Sequence, residues 1–253
     1  MNRIRKQLAK DDQLLSIYFS AGYPNLNDTE ELIIELEKNG VGMIEIGLPF
    51  SDPLADGPTI QNSSQIALQN GMTTRILFDQ LENIRESVQI PLLIMGYLNP
   101  ILQFGLEAFC KRCELNGIDG LIIPDMPIEM YVSEYKSVFD KYGISPVFLI
   151  TPQTSEPRIR YIDSISNGFI YVVSSDSTTG DIGEFGERHL GYFQRIQQMQ
   201  LENPLIIGFG IGNRKTFAQA TAFANGAIVG SAFIKHLSQH GMGKIAQFVA
   251  TIK

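Results

Sequence analysis

Glu45 and Asp56 stand eleven residues apart in Ile44-Glu45-Ile46-Gly47-Leu48-Pro49-Phe50-Ser51-Asp52-Pro53-Leu54-Ala55-Asp56-Gly57, in two unlike settings. Glu45 interrupts an apolar, strand-like run over residues 42–48, where a carboxylate is costly unless its environment uses it. Asp56 follows a Pro- and Gly-punctuated segment too irregular to extend that strand. Strand alternation sends Met43, Glu45 and Gly47 to one face and Ile44, Ile46 and Leu48 to the other. In a barrel the apolar set meets the helices, so Glu45 points inward near the C-terminal mouth. Burial there raises a carboxyl pKa, and a Glu tuned toward about 6–7 both gives and takes a proton. Asp56, on a loop, is expected to be solvated and ionised. Two carboxylates in different environments can divide acid/base work from electrostatic work. The same pattern equally fits an internal Glu satisfied by hydrogen bonds and an Asp in a turn.

A second constellation is glycine. Gly208-Phe209-Gly210-Ile211-Gly212 closes one β-rich run, and Gly230-Ser231 closes the next, before helix-forming Ala232-Phe233-Ile234-Lys235. Barrels often bind phosphate between the loops after strands seven and eight and a short extra helix. Glycine lets the backbone approach an anion, and Ser231 offers an N–H and a hydroxyl. Tight-turn glycines are the plainer alternative. The pattern is not a dinucleotide fingerprint, because Asn213 stands where G-x-G-x-x-G needs its last glycine. A phosphate anchor facing an acid/base pair, with Phe19, Tyr97, Tyr171 and Phe209 as inward strand-end candidates between them, predicts a small substrate with a phosphate tail and an apolar head.

The elements that must position these residues alternate between β-rich and helical runs, which predicts a parallel sheet of βα units. Strands are expected over 14–20, 42–48, 92–97, 117–123, 145–150, 169–173, 205–209 and 227–230, and helices over 27–39, 73–88, 106–116, 128–142, 156–166, 190–202 and 215–225. Gly40, Gly117, Gly143, Gly168 and Gly226 precede the next strand, as helix C-caps do. Spacings near 30 residues favour an α/β fold closed as a (β/α)8 TIM barrel over an open sheet. An extra helix over residues 3–9 is expected to cap the barrel bottom, with a short extra helix after strand eight. Residues 1–253 read as one domain. Two long excursions follow strands, over 49–69 and 174–186, the second small, polar and Gly-rich; loops on this face carry function in barrels.

Composition narrows the partners. A net charge of −7 and a pI near 5.0 disfavour nucleic acid or an anionic membrane as partner, and no apolar run approaches the roughly 20 residues of a membrane helix. The basic start, without an apolar stretch, points to a cytoplasmic protein. Cys110 and Cys113 form a lone C-x-x-C inside a helical stretch with no second pair to complete a zinc site, so a structural role is expected. His236 and His240 share i, i+4 spacing without an H-E-x-x-H motif. No metal is expected.

The chain resembles the tryptophan synthase alpha subunit family. The segment 44–57 fits that family's signature and continues through Pro58-Thr59-Ile60-Gln61. Further matches are Ala21-Gly22-x-Pro24, Met95-Gly96-Tyr97-x-Asn99-Pro100, Pro124-Asp125-x-Pro127-x-Glu129, Thr178-Thr179-Gly180, Gly208-Phe209-Gly210-Ile211 and Gly230-Ser231. The resemblance implies cleavage of indole-3-glycerol phosphate to indole and glyceraldehyde 3-phosphate. It also implies a pyridoxal-phosphate beta subunit that receives the indole, in an alpha2-beta2 heterotetramer, with no cofactor on this chain. Under it Glu45 becomes the general acid/base and Asp56 the carboxylate meeting the indole N–H. Tyr171 and Tyr97 become pocket tyrosines, Thr179 the loop threonine closing over the site, Gly180, Gly210, Gly230 and Ser231 the phosphate cradle, and Phe19, Ile60 and Phe209 the indole pocket. Tyr23 stands where many members carry Asp, and Ser177 where many carry Gly, which bears on loop closure rather than chemistry. A stand-alone lyase would use the same residues. A non-catalytic activator of the beta chain would have no use for a buried Glu45, and another phosphate-binding barrel on an indole-glycerol or phosphoribosyl substrate would need a different catalytic set, such as an inward Lys beside the Glu, that the strand ends lack.

Overall fold

The computed structural model describes residues 2–11, 13–174 and 184–253. The eight strands form one closed parallel barrel in sequence order: β1 (Leu14–Ser20), β2 (Met43–Gly47), β3 (Leu92–Met95), β4 (Gly120–Ile122), β5 (Ser145–Ile150), β6 (Ile170–Val173), β7 (Leu205–Gly208) and β8 (Gly226–Val229). β8 returns to β1 with Leu14 opposite Gly226. Most strand residues are buried on both faces, as expected of a parallel sheet covered by helices.

The helices are α1 (Arg3–Leu8), α2 (Thr29–Lys38), α3 (Pro58–Gln69), α4 (Thr74–Gln80), α5 (Ile84–Ser87), α6 (Leu98–Phe104), α7 (Leu106–Leu115), α8 (Ile128–Met130), α9 (Lys136–Lys141), α10 (Glu156–Ile165), α11 (Glu187–Gln198), α12 (Arg214–Thr221), α13 (Ser231–His240) and α14 (Ile245–Ile252). α1 closes the barrel bottom. Asn2 caps it by accepting the Arg5 N–H at 2.9 Å, and Ile4, fully buried, reaches beneath Gly120 and Gly168.

Several expected elements change. The helix expected over 73–88 is two, α4 and α5, separated by the turn at 81–83. That over 128–142 contains a π-helical turn, Tyr131–Tyr135, between α8 and α9. The excursion over 49–69 is largely the twelve-residue α3, which Pro58 starts at its first position after extended Gly57. Gly40, Gly117 and Gly143 are left-handed as helix-ending glycines are, whereas Gly226 instead opens β8, where an added Cβ would sit 2.6 Å from the Leu14 carbonyl. The helix after β8 has ten residues and is followed by α14. Cys110 and Cys113 are buried free thiols on α7, and burial pushes the Cys110 thiol up to about 12. Among the described residues no group of three or more His, Cys, Asp or Glu could hold a metal, and no helix is long and apolar enough to cross a membrane.

Candidate active site

Glu45 lies in the middle of β2 and is fully buried. Ser16, on the neighbouring strand, donates its hydroxyl to Glu45 Oε1 at 3.2 Å, while Oε2 has no partner among the described residues. Loss of water dominates that bond and raises the Glu45 carboxyl to about 8. At neutral pH Glu45 is therefore protonated, one step further than the tuning expected from sequence.

The parity of β1 follows from this contact. Ser16 faces inward, so Tyr18 and Ser20 do too, and Tyr18 is the register partner of Glu45. The Tyr18 hydroxyl occupies the space above Gly47, 2.2 Å from where a Cβ would stand. Phe19, paired with the outward Ile46, turns toward the helices. The expectation that Phe19 lines the pocket is thus corrected: Tyr18 is the inward aromatic. Across the barrel the same packing recurs. Tyr171 on β6 places its hydroxyl over Gly208, 2.1 Å from an added Cβ, and meets the Phe209 ring nearly edge-on at 6.2 Å between centroids.

Asp56 is also corrected. It is not solvated but 6% exposed, in the loop between β2 and α3. The Tyr97 hydroxyl accepts the Ala55 N–H at 2.9 Å and donates to Asp56 Oδ2 at 3.0 Å. From α3, the Gln61 amide donates to the Asp56 carbonyl at 2.8 Å. Asp56 Oδ1 is buried without a partner among the described residues. Burial raises the Asp56 carboxyl to about 6, with the Tyr97 bond opposing the shift. Burial, followed by the charge of Asp56, pushes the Tyr97 phenol upward, which keeps it protonated and a donor. Asp56 shares a cavity of about 260 Å³, counting its part open to solvent, with Tyr18, Phe50, Ser64, Met95 and Tyr97.

The glycine side of the mouth lies next to this cavity. A Cβ on Gly230 would approach Tyr18 Cδ1 at 3.4 Å and Ile60 Cδ1 at 3.7 Å. The first intrahelical bond of α13 runs from the Ile234 N–H to the Gly230 carbonyl. The N–H groups of Ser231, Ala232 and Phe233 precede it and suit an anion. On the adjoining loop Phe209 and Gly210 are both left-handed, at φ 71° and 73°. That conformation is strained for Phe. It is held by Ser174, whose hydroxyl donates to the Phe209 carbonyl at 2.7 Å and whose N–H donates to the Gly208 carbonyl at 3.0 Å. Strain of this kind clusters at ligand sites.

The structure thus brings Glu45, Asp56, Ile60, Tyr97, Gly230 and Ser231 around Tyr18, with Tyr171, Phe209 and Gly210 on the β6–β7 side. Thr179 and Gly180 lie outside the described residues. Sequence reasoning missed Tyr18, Ser16, Ser64 and Gln61. The two serines at positions 16 and 20, flanking Tyr18 at a two-residue period, are the signal that marks the inward face of β1.

The family model described as Tryptophan synthase alpha chain matches residues 4–252. The chain is 67% identical over 253 residues to the tryptophan synthase alpha chain of Flavobacterium johnsoniae, covering all of both chains. It is 64% identical over 252 residues to that of Flavobacterium psychrophilum, again covering all of both. Among solved structures, tryptophan synthase subunit alpha from Legionella pneumophila is 31% identical with a TM-score of 0.89, covering 100% of this chain and 97% of that one. Aminoacrylate-bound tryptophan synthase from M. tuberculosis is 25% identical with a TM-score of 0.87, covering 100% and 98%. Matched from end to end by the family model and by close relatives, this chain belongs to the tryptophan synthase alpha chain family.

Proposed function

We propose that the chain performs its family's lyase reaction, splitting indole-3-glycerol phosphate into indole and glyceraldehyde 3-phosphate, with Glu45 moving protons and Asp56 balancing charge. The observation that carries this reading is the pair of buried carboxylate oxygens without a partner among the described residues, Glu45 Oε2 and Asp56 Oδ1, on two groups whose pKa values lie on opposite sides of neutrality, about 8 and about 6. Glu45, protonated, gives its proton to indole C3. The ring becomes an iminium cation, and the ionised Asp56 stabilises it through the indole N–H. The Glu45 carboxylate then takes the proton of the adjacent side-chain hydroxyl. The C3–C1′ bond breaks, its electron pair returns to the ring, and the hydroxyl carbon becomes the aldehyde. Glu45 ends protonated, ready for another turnover. General acid/base steps of this kind contribute roughly 10²–10⁴ each.

The phosphate is assigned to Gly210, Gly230, Ser231 and the free N–H groups of α13, with Thr179 and Gly180 closing from the adjoining loop. Tyr18, Ile60, Tyr171 and Phe209 form the walls around the indole and the glycerol chain. Holding the remote phosphate places the reacting carbon against Glu45 and lowers the barrier through binding energy. Every proton transfer here uses this chain's own side chains. Pyridoxal phosphate is assigned to the beta partner, which joins indole to serine in an alpha2-beta2 assembly. Leu54, 91% exposed on the Asp56 loop, and Leu102, 45% exposed on α6, offer that partner apolar contacts beside the mouth.

Indole release from indole-3-glycerol phosphate, assayed with and without a beta subunit, tests the reading. Turnover that rises with the partner is expected. No indole under either condition overturns the lyase assignment, and full turnover unaffected by any beta subunit supports a stand-alone enzyme instead.

A further inference from the structure

We propose that Asp125, on the loop after β4, is a positioning residue for the lyase reaction: it fixes Tyr97, and through Tyr97 it fixes which oxygen Asp56 presents to the substrate. The proposal rests on the role given to Asp56 above. Three successive loops of the mouth are joined by three hydrogen bonds. Asp125 Oδ1 accepts the Leu98 N–H at 2.9 Å, the Tyr97 hydroxyl accepts the Ala55 N–H at 2.9 Å, and the same hydroxyl donates to Asp56 Oδ2 at 3.0 Å.

Each link has a local cause. Tyr97 is the N-cap of α6, extended at φ −88° and ψ 154°, and its side chain makes no capping bond. The first N–H groups of a helix need partners from outside it, and Asp125 supplies one from another loop, with a negative charge where the helix dipole favours it. Because Leu98 directly follows Tyr97, that bond fixes the peptide plane between them and, with Tyr97 at ψ 154°, the direction of the Cα–Cβ bond that carries the phenol. A phenol carries a single proton. With the Ala55 N–H donating to its oxygen, the Tyr97 proton goes to Asp56 Oδ2. Oδ2 is thereby occupied, and Oδ1 is the buried oxygen left without a partner among the described residues.

The test is a double-mutant cycle on the full chain, assayed for indole release with its beta subunit, using Asp125→Ala, Asp125→Asn, Tyr97→Phe and the Asp125→Ala/Tyr97→Phe pair, with melting temperatures measured alongside. Asp125 is exposed, so the variants are expected to fold. Loss of a cap is worth about a five- to tenfold effect, and Asp125→Ala is expected to lower kcat by about that factor with little change in KM. Asp125→Asn, which keeps the accepting oxygen, is expected to stay within about twofold of wild type. In the Tyr97→Phe background Asp125→Ala is expected to cost nothing further in kcat. A purely structural cap would lower the melting temperature equally in both backgrounds and give multiplicative losses; that result, or an unchanged kcat in Asp125→Ala, overturns the proposal alone. A wild-type chain that releases no indole overturns the lyase reading and this proposal with it.

Discussion

Two ends of one barrel treat buried carboxylates in opposite ways. At the floor, Asp119 is 9% exposed and saturated: it pairs with Arg3, takes the Arg85 guanidinium at 2.7 Å and accepts the Leu92 N–H at 2.9 Å. Arg85 is itself anchored, donating to the Gly117 carbonyl at 2.6 Å and the Ile90 carbonyl at 2.7 Å. At the mouth, Glu45 and Asp56 are as deeply buried, yet each keeps an oxygen with no partner among the described residues. A paired floor carboxylate ties α1, α5 and the start of β3 together. An unpaired mouth carboxylate costs stability and holds its pKa where protons can be exchanged near neutrality. The difference separates a residue that holds the chain from two that, in the proposed reaction, act on the ligand, although all three are acids inside the same fold.

The largest effect that sharpens this contrast is Glu45→Gln. In the proposed reaction Glu45 makes two proton transfers, so indole release is expected to fall by at least about 10⁴, while the melting temperature at neutral pH holds or rises. Turnover within tenfold of wild type in a steady-state assay would remove Glu45 from the reaction. Asp119→Ala is expected to do the reverse. Stranding the Arg85 charge costs roughly 3–5 kcal/mol of folding stability, and denaturant unfolding is the measurement. Turnover per folded molecule is expected to stay near wild type, because the site lies at the other end of the strands. A stable variant with lost turnover would break the division between floor and mouth. Asp56→Asn ranks next. It removes the charge that balances the iminium cation in the proposed reaction, and preorganised electrostatic stabilisation of that kind is worth about 10²–10³ in kcat. A near-normal kcat would mean that Asp56 is merely a loop residue.

How much of this was readable beforehand depends on the range of the interaction concerned. The barrel follows from eight apolar runs at regular spacing, and Glu45 points inward because alternation on β2 leaves no other face for it. Phe19 was misplaced for the converse reason: β1 is buried on both faces over all seven residues, so hydrophobicity carries no parity, and Leu14-Leu15-Ser16-Ile17-Tyr18-Phe19-Ser20 gives it only through its serines. Asp56 looked solvated because its burial is supplied by Tyr97, forty-one positions away, and nothing local to a Pro- and Gly-rich loop reveals that. α3 was hidden by its polar content (Gln61, Asn62, Ser63, Ser64, Gln65), whose buried members answer to the barrel: Ser63 meets the Ser20 hydroxyl at 2.7 Å, and Ser64 lines the cavity. The floor ion pairs were equally invisible, since Arg3, Arg85 and Asp119 come from three distant segments.

The smallest expected effect is the most specific, because it reads both mouth carboxylates at once. The proposed reaction needs Asp56 ionised and Glu45 protonated, so kcat is expected to follow a bell with an acid limb near pH 6 and a basic limb near pH 8, the values set by burial of the two groups. Asp56→Asn is expected to erase the acid limb from whatever activity remains. Stability carries the same signature. The folded-state pKa of Glu45 is raised above its ordinary value, so its share of stability is complete below that ordinary value, near pH 4.5, and is lost as pH rises toward about 8. Relative to Glu45→Gln, which cannot ionise, the wild type is therefore expected to lose stability steadily between pH 5 and about pH 8. Unfolding curves for the two proteins across that range give the difference directly. A gap that stays constant, or one that grows in favour of the wild type, would mean that Glu45 is ionised in the folded chain, against the shift that burial gives it.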